Sequence, residues 1–138
     1  MKVEFIASVG VVAPDPPASR KLYVEALGLP LEGEGQAGYY SSGKIPGSKH
    51  FGVWPLSQAA EACFGTSEWP ADRPIPQISI EFEVESPAAV QAAAQELRSK
   101  GFSLLHPARE EPWGQTVARL LSIEGSIVGI SYTPPFHD

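Results

Sequence analysis

The sequence predicts an α+β fold assembled from two copies of one unit, in which a strand and a helix are followed by three strands. Three observations carry this. A strand-prone run ending Val11-Val12-Ala13 leads through Asp15-Pro16-Pro17-Ala18 into a helical stretch that stops at Leu27-Gly28. The run from Ile78 to Val84 leads through Ser86-Pro87-Ala88-Ala89 into a second helical stretch that stops at Lys100-Gly101. The two helix starts, Asp15 and Ser86, divide the 138-residue chain almost evenly. A period this long lies outside the solenoid range, and two copies are too few for an array, so paired modules are expected.

In the first copy Val3 to Val12 is β-prone. Asp15 has the side chain of an N-cap, and Pro16 stands at the first helical position, where its missing N–H costs nothing. Gly28 ends the helix. Strands are expected around Leu31 to Glu34, Gly38 to Ser42 and His50 to Trp54, broken by the turn-rich stretch Ser41 to Gly47. In the second copy Ser86 caps and Pro87 starts the helix, and Val90, Ala94 and Leu97 fall at helical spacing. Gly101 stops it before strands near Ser103 to His106, Thr116 to Ser122 and Ile127 to Thr133. Between the copies, Ser57 to Ala62 is helix-like and Phe64 and Trp69 precede Pro70, Pro74 and Pro76. This connection is expected to pack on the sheet edge, because either half alone exposes a large apolar face. One domain over 1–138 follows: module one about 1–56, connector about 57–76, module two about 77–138.

Composition narrows the function classes. With 43% hydrophobic and 19% charged residues the chain is of the soluble globular kind. A formal charge of -6 and the lack of any Lys/Arg cluster argue against nucleic acid as a partner. Cys63 is the only cysteine, which rules out an intrachain disulfide. No apolar run is long enough to span a bilayer, and charge interrupts the start before a signal-like run develops, so no membrane partner is expected and the cytoplasm is the expected compartment. Phosphate-loop and serine-elbow motifs are absent, and nothing in the sequence places a His beside Cys63.

Asp15 to Tyr23 followed by Leu27-Gly28-Leu29, the strand ending Val84-Glu85-Ser86, Pro112-Trp113-Gly114 and the closing run Ile123 to Gly129 together resemble the vicinal oxygen chelate superfamily. That group includes glyoxalases, extradiol dioxygenases and the bleomycin resistance proteins. The resemblance implies two tandem βαβββ modules forming a curled, cup-shaped mixed sheet with helices on the outer face. It also implies a ligand site in the cup and pairing into a homodimer. Enzymes of the superfamily hold a divalent metal with His, Gln or Glu on four strands. Carried over by offset, those positions are Ser8, Trp54, Ser79 and Gly129, none of which is a competent donor. No metal or other cofactor is therefore expected. His50 and Glu81 share strand faces with Trp54 and Ser79, which leaves a displaced site as an alternative. His106, in an expected turn before Pro107, and His137, at a terminus expected to fray, add little.

Alternation places Ser8, Gly10, Gly52, Trp54, Ser79, Glu81, Glu83, Gly129 and Ser131 on the cup face, and Val9, Val11, Phe51, Val53, Ile78, Ile80, Phe82, Val128 and Ile130 beneath the helices. Small residues recurring on four strands favour a cavity over mere sheet curvature. Trp54 is either a stacking wall or filler for the space a metal would occupy. The resemblance implies that Trp113 belongs to a mouth loop, and Trp69 is expected to cap the core edge. Glu81 supplies the pocket's charge, whereas Glu83 is expected at a solvated strand end. One of Tyr39 and Tyr40 reaches the cup, and Tyr40 is the one assigned to the ligand set with Ser8, Trp54, Ser79, Glu81, Trp113, Gly129 and Ser131.

The expected function is a metal-free small-molecule binding protein of the glyoxalase and bleomycin resistance type, sequestering a planar or cationic ligand, with no catalytic residue assigned. The alternatives are a divalent-metal-dependent glyoxalase-like lyase or dioxygenase with displaced ligands, and a structural dimer whose cup is filled by its own side chains.

Overall fold

The structure, a computed structural model, describes residues 1–33, 35 and 38–137. Strand β1 (Phe5–Ala13) precedes a helix, α1 (Pro16–Arg20), that continues as a π-helical stretch over Lys21–Ala26. Strands β2 (Glu32–Gly33), β3 (Tyr40–Ser42) and β4 (His50–Pro55) complete the first module, and helix α2 (Leu56–Phe64) leads into the connection. The second module has β5 (Ile78–Glu83), α3 (Pro87–Ser99), β6 (Arg109–Glu110), β7 (Thr116–Leu121) and β8 (Ile127–Tyr132), and ends in a short 3₁₀ turn, Pro134–Phe136. The expectation of strand around Glu34 falls outside the described residues.

Both helix starts form as their sequences direct. Asp15 Oδ1 accepts from the Ala18 N–H at 3.3 Å and Ser86 Oγ from the Ala89 N–H at 3.0 Å, each with proline in the first turn. One expected strand is absent: residues 103–106 are irregular, with the Leu105 N–H donating to the Arg119 carbonyl at 2.8 Å, and the module's second strand is instead the two-residue β6.

All strands join one sheet in the order β2-β3-β4-β1-β5-β8-β7-β6. The order is symmetric about its middle. The parallel pair β1/β4 mirrors the parallel pair β5/β8, and β1 meets β5 antiparallel at the seam. This mixed sheet with its three helices is the α+β architecture the sequence implies.

The back of the sheet holds two apolar clusters. One packs Val90, Ala93 and Ala94 of α3 on Ala118 and Ile130, and the other sets Tyr23 and Val24 against Ala13, Tyr40 and Val53. Helix α2 begins the connection and packs on the face opposite to α3. Its Ala59 and Cys63 pack on Val12, Ile127 and Trp54, residues of the opposite face, so this helix closes one end of the cup. Among the described residues no helix is long and apolar enough to cross a membrane.

Candidate functional site: a glycine-floored cup

Sheet register builds the site in rows. Ser8 has His50 on one side and Glu81 on the other; Glu81 in turn faces Gly129, and Gly129 faces Arg119. The next row runs Gly52, Gly10, Ser79. A register shift between Ile6 and Ser8 lets Phe5 share a face with Glu83 while Ser8 shares one with Glu81; strict alternation along β1 does not predict this.

Two glycines provide room for side chains that lie across them. A Cβ at position 52 would stand 2.6 Å from the Tyr39 hydroxyl, and one at 129 would stand 3.1 Å from Glu81 Cγ. Tyr39 thereby reaches His50, with its hydroxyl 2.6 Å from Nε2. Glu81 lies over the glycine that occupies the expected fourth metal-ligand position.

The resulting cavity has a volume of about 480 Å³. Ser8, Trp54, Ser79, Glu81 and Trp113 line it, as do Gly10 and His50. Tyr40 does not: it is buried against Leu31 and Val53, and Tyr39, the residue just before β3, takes the cavity position, because adjacent residues of extended chain point to opposite faces. Gly129 acts as floor beneath Glu81. Ser131 is fully buried one row away, donating to Glu83 Oε1 at 2.7 Å.

Glu83 overturns the expectation of a solvated strand end. It is 0% exposed and also accepts from the Thr133 N–H, with His137 Nε2 at 2.8 Å. His137 is therefore docked, not frayed, and stacks on Tyr132 with ring centroids 4.5 Å apart. This C-terminal clasp brings Phe136 and Thr133 to the cavity wall and closes the end opposite α2.

Arg119, Gln115, Gln58, Thr133 and Phe136 are lining residues that sequence reasoning missed. One signal was legible, since Arg119 interrupts the apolar run from Val117 to Leu121. Its side chain is 1% exposed. Nη1 lies 3.4 Å from the Ala62 carbonyl and 3.1 Å from His106 Nε2, and the guanidinium carbon sits 5.9 Å from the centre of the Trp54 ring. Arg109 also donates to the Ala62 carbonyl and holds Glu111 at 2.6 Å, so two guanidiniums meet the C-terminal end of α2, where the helix dipole favours them. His106 is buried and part of this network.

Burial sets the electrostatics. It raises the Glu81 pKa; the Gln115 amide and then the Arg119 guanidinium oppose the rise, while Glu83 and Glu111 add to it. Gln115 is oriented by the Trp113 indole N–H, which donates to its Oε1 at 2.9 Å and leaves the NH₂ end for Glu81. Burial lowers the His50 pKa and raises that of Tyr39, so the pair is a neutral imidazole beside a protonated phenol. Cys63 is pushed up to about 11 by burial and is a packed thiol, not a nucleophile. Trp54 lines the cavity and also packs on Val12, Ala59 and Cys63. Trp69 caps the core edge, meeting Phe64 edge-on at 4.9 Å.

A divalent metal does not fit these residues. Ser8 and Ser79 offer hydroxyls, Gly129 offers no side chain, and Trp54 offers an indole. Among the described residues no group of three His, Cys, Asp or Glu is placed to hold an ion. The displaced pair of His50 and Glu81 falls one donor short, and His50 Nε2 is engaged by Tyr39.

Paired modules, a shared curled sheet and a central cup define a class of fold. The family model described as Glyoxalase/Bleomycin resistance protein/Dioxygenase superfamily matches residues 5–127, and the chain belongs to that superfamily. Solved structures similar to it include a superfamily member from Vibrio splendidus 12B01, at 10% identity, covering 96% of this chain and 100% of that chain with a TM-score of 0.58. Methylmalonyl-CoA epimerase from Mycobacterium tuberculosis matches at 19% identity, 97% and 91% coverage and a TM-score of 0.57. A Streptomyces coelicolor methylmalonyl-CoA epimerase in complex with 2-nitronate-propionyl-CoA matches at 16% identity, 96% coverage of both chains and a TM-score of 0.56. At these identities the likeness is one of fold. No curated protein matches the chain.

Proposed function

We propose that this is a small-molecule binding protein of the glyoxalase and bleomycin resistance type, which takes a planar ligand into a metal-free cup. The observation that carries the reading is the cavity of about 480 Å³, walled by Trp54, Trp113, Tyr39 and Phe136 above a floor of glycine and serine. That volume suits a small organic molecule, and flat aromatic walls favour a flat guest. The alternative, a lyase or dioxygenase with displaced metal ligands, finds less support because the donors fall short of three. A homodimer belongs to the same proposal: Leu22, Leu27 and Ile123 are large apolar side chains at least half exposed, at 50%, 58% and 98%.

The test is calorimetric titration of metal-stripped protein with three probes sharing one ring system: N-methylquinolinium, 2-quinolone and quinoline-3-carboxylate. Saturable binding of one equivalent per chain, with a matching rise in melting temperature, is the expected result. One tightly held Mn, Fe, Ni or Zn per chain by elemental analysis, with binding restored only by that metal, would establish the alternative.

A further inference from the structure

We propose that the ligand is a planar molecule of no net charge whose edge carries a hydrogen-bond donor next to an acceptor, as in a lactam, with Arg119 holding the acceptor and Glu81 the donor. The inference rests on the small-molecule reading above and names the chemistry of its ligand.

Glu81 and Arg119 are the register partners of one residue, Gly129, from its two neighbouring strands. Their Cα positions are thus about 10 Å apart, twice the spacing between strands, on one face and with no side chain between them. They form no ion pair with each other among the described residues; the Arg119 ion pair is with Glu111, at 3.7 Å. Glu111 is held more closely by Arg109, at 2.6 Å. Arg109 and Glu111 thus pair beside the cup, and the unlike pair that lines it, Glu81 and Arg119, is left apart.

Each member of that pair retains capacity for a ligand. The hydrogen bonds of Arg119 all come from Nη1. Nε makes none and Nη2 has only the 3.7 Å ion pair with Glu111, yet neither is a sealed, unpartnered atom: among the described residues the one such atom is Arg20 Nε. The remaining reach of Arg119 is toward the cavity it lines. Glu81 is approached by the Gln115 amide, which leaves lone pairs on the carboxylate for a guest.

A cation bound here would be attracted by Glu81 and repelled by Arg119, and an anion would meet the reverse. A neutral edge with adjacent N–H and C=O satisfies both, whereas a charged guest meets a like charge on one side of the cup and is disfavoured there. Trp54, 5.9 Å from the Arg119 guanidinium carbon, supplies the face on which such a ring would lie.

The same three quinoline probes decide the matter. Wild-type protein should bind 2-quinolone about tenfold more tightly than either charged probe, the scale of one charge-assisted hydrogen bond. Glu81→Gln should weaken 2-quinolone and strengthen the carboxylate, inverting their order. Arg119→Met should weaken 2-quinolone and strengthen N-methylquinolinium. Should Arg119→Met fail to fold for want of its contact to α2, Glu81→Gln, which preserves shape, decides alone. Tightest wild-type binding by either charged probe, or an unchanged order in Glu81→Gln, overturns this inference while leaving the small-molecule reading intact. Absence of binding by all three overturns both.

Discussion

The hydroxyl of Tyr39 lies 2.6 Å from His50 Nε2, and the contact exists because position 52 has no side chain. The Tyr39 ring, from the residue just before β3, lies directly over Gly52 of β4 and reaches His50 at the start of that strand. A polar wall of the cup thus depends on a residue that does not itself line the cavity.

Gly52→Ala should break this pair. Its Cβ would fall 2.6 Å from the Tyr39 hydroxyl, and the ring would have to swing into the cavity. The fold should survive with a loss of about 1–3 kcal/mol, the usual range for overpacking, seen as a lower denaturation midpoint. NMR titration should show the His50 pKa moving toward that of a free imidazole, and an unmoved His50 signal would count against the contact.

Stability should depend on pH in two opposed ways. His50 and His106 have pKa values lowered by burial, so the unfolded chain binds their protons first; their contribution is full above about pH 6.5 and is lost as pH falls through the folded values. Glu81 has the opposite sign. Its pKa is raised, so its contribution is full below the unfolded value and is lost as pH rises through the folded one. Glu81→Gln should therefore stabilise the empty protein more at pH 7 than at pH 4, as measured by urea unfolding. A gain that shrinks with rising pH would contradict the burial of Glu81.

Trp54→Ala should weaken binding of the preferred quinoline probe by about 1–2 kcal/mol through lost stacking. It should also lower stability, because the indole packs on Val12, Ala59 and Cys63. Circular dichroism separates the two effects: a folded variant with undiminished affinity would move the pocket away from Trp54.

The clasp over Glu83 predicts sensitivity at sites remote from the cavity mouth. Ser131→Ala removes a 2.7 Å donor from a fully buried carboxylate and should cost about 1–3 kcal/mol. His137→Ala should cost less, because the Thr133 N–H and Ser131 remain. Equal stability of Ser131→Ala and the parent in urea would show that Glu83 is solvated.

Much of this architecture was legible in local chemistry. Asp15-Pro16 and Ser86-Pro87 mark the helix starts because capping needs only a short side chain and a proline at the right offset. Alternation also placed Ser8, Trp54, Ser79 and Glu81 on the cavity side. Features that depend on long-range contact were hidden: Tyr39 and Tyr40 are interchangeable by composition, and only register decides which turns inward. Arg119 carries a local mark, a charge in an apolar strand, but its partners, the Ala62 carbonyl and His106, belong to distant elements. Glu83 looked solvated because the segment that buries it, Thr133 to His137, gives no local sign of docking. The shift between Ile6 and Ser8 has no glycine or proline to announce it.

The seam between β1 and β5 also sets how the molecule can be made. It pairs Phe5 with Glu83 and Val11 with Ile78, so the central ladder of the sheet joins segments separated by about half the chain. During synthesis β1 can pair with β4 first, but its other edge stays open until β5 emerges, an unpaired edge of the kind that invites association between chains. Neither half can complete the sheet alone. Arrival at the native state is therefore governed by closure of one long loop, which makes this a slow-folding topology for its size.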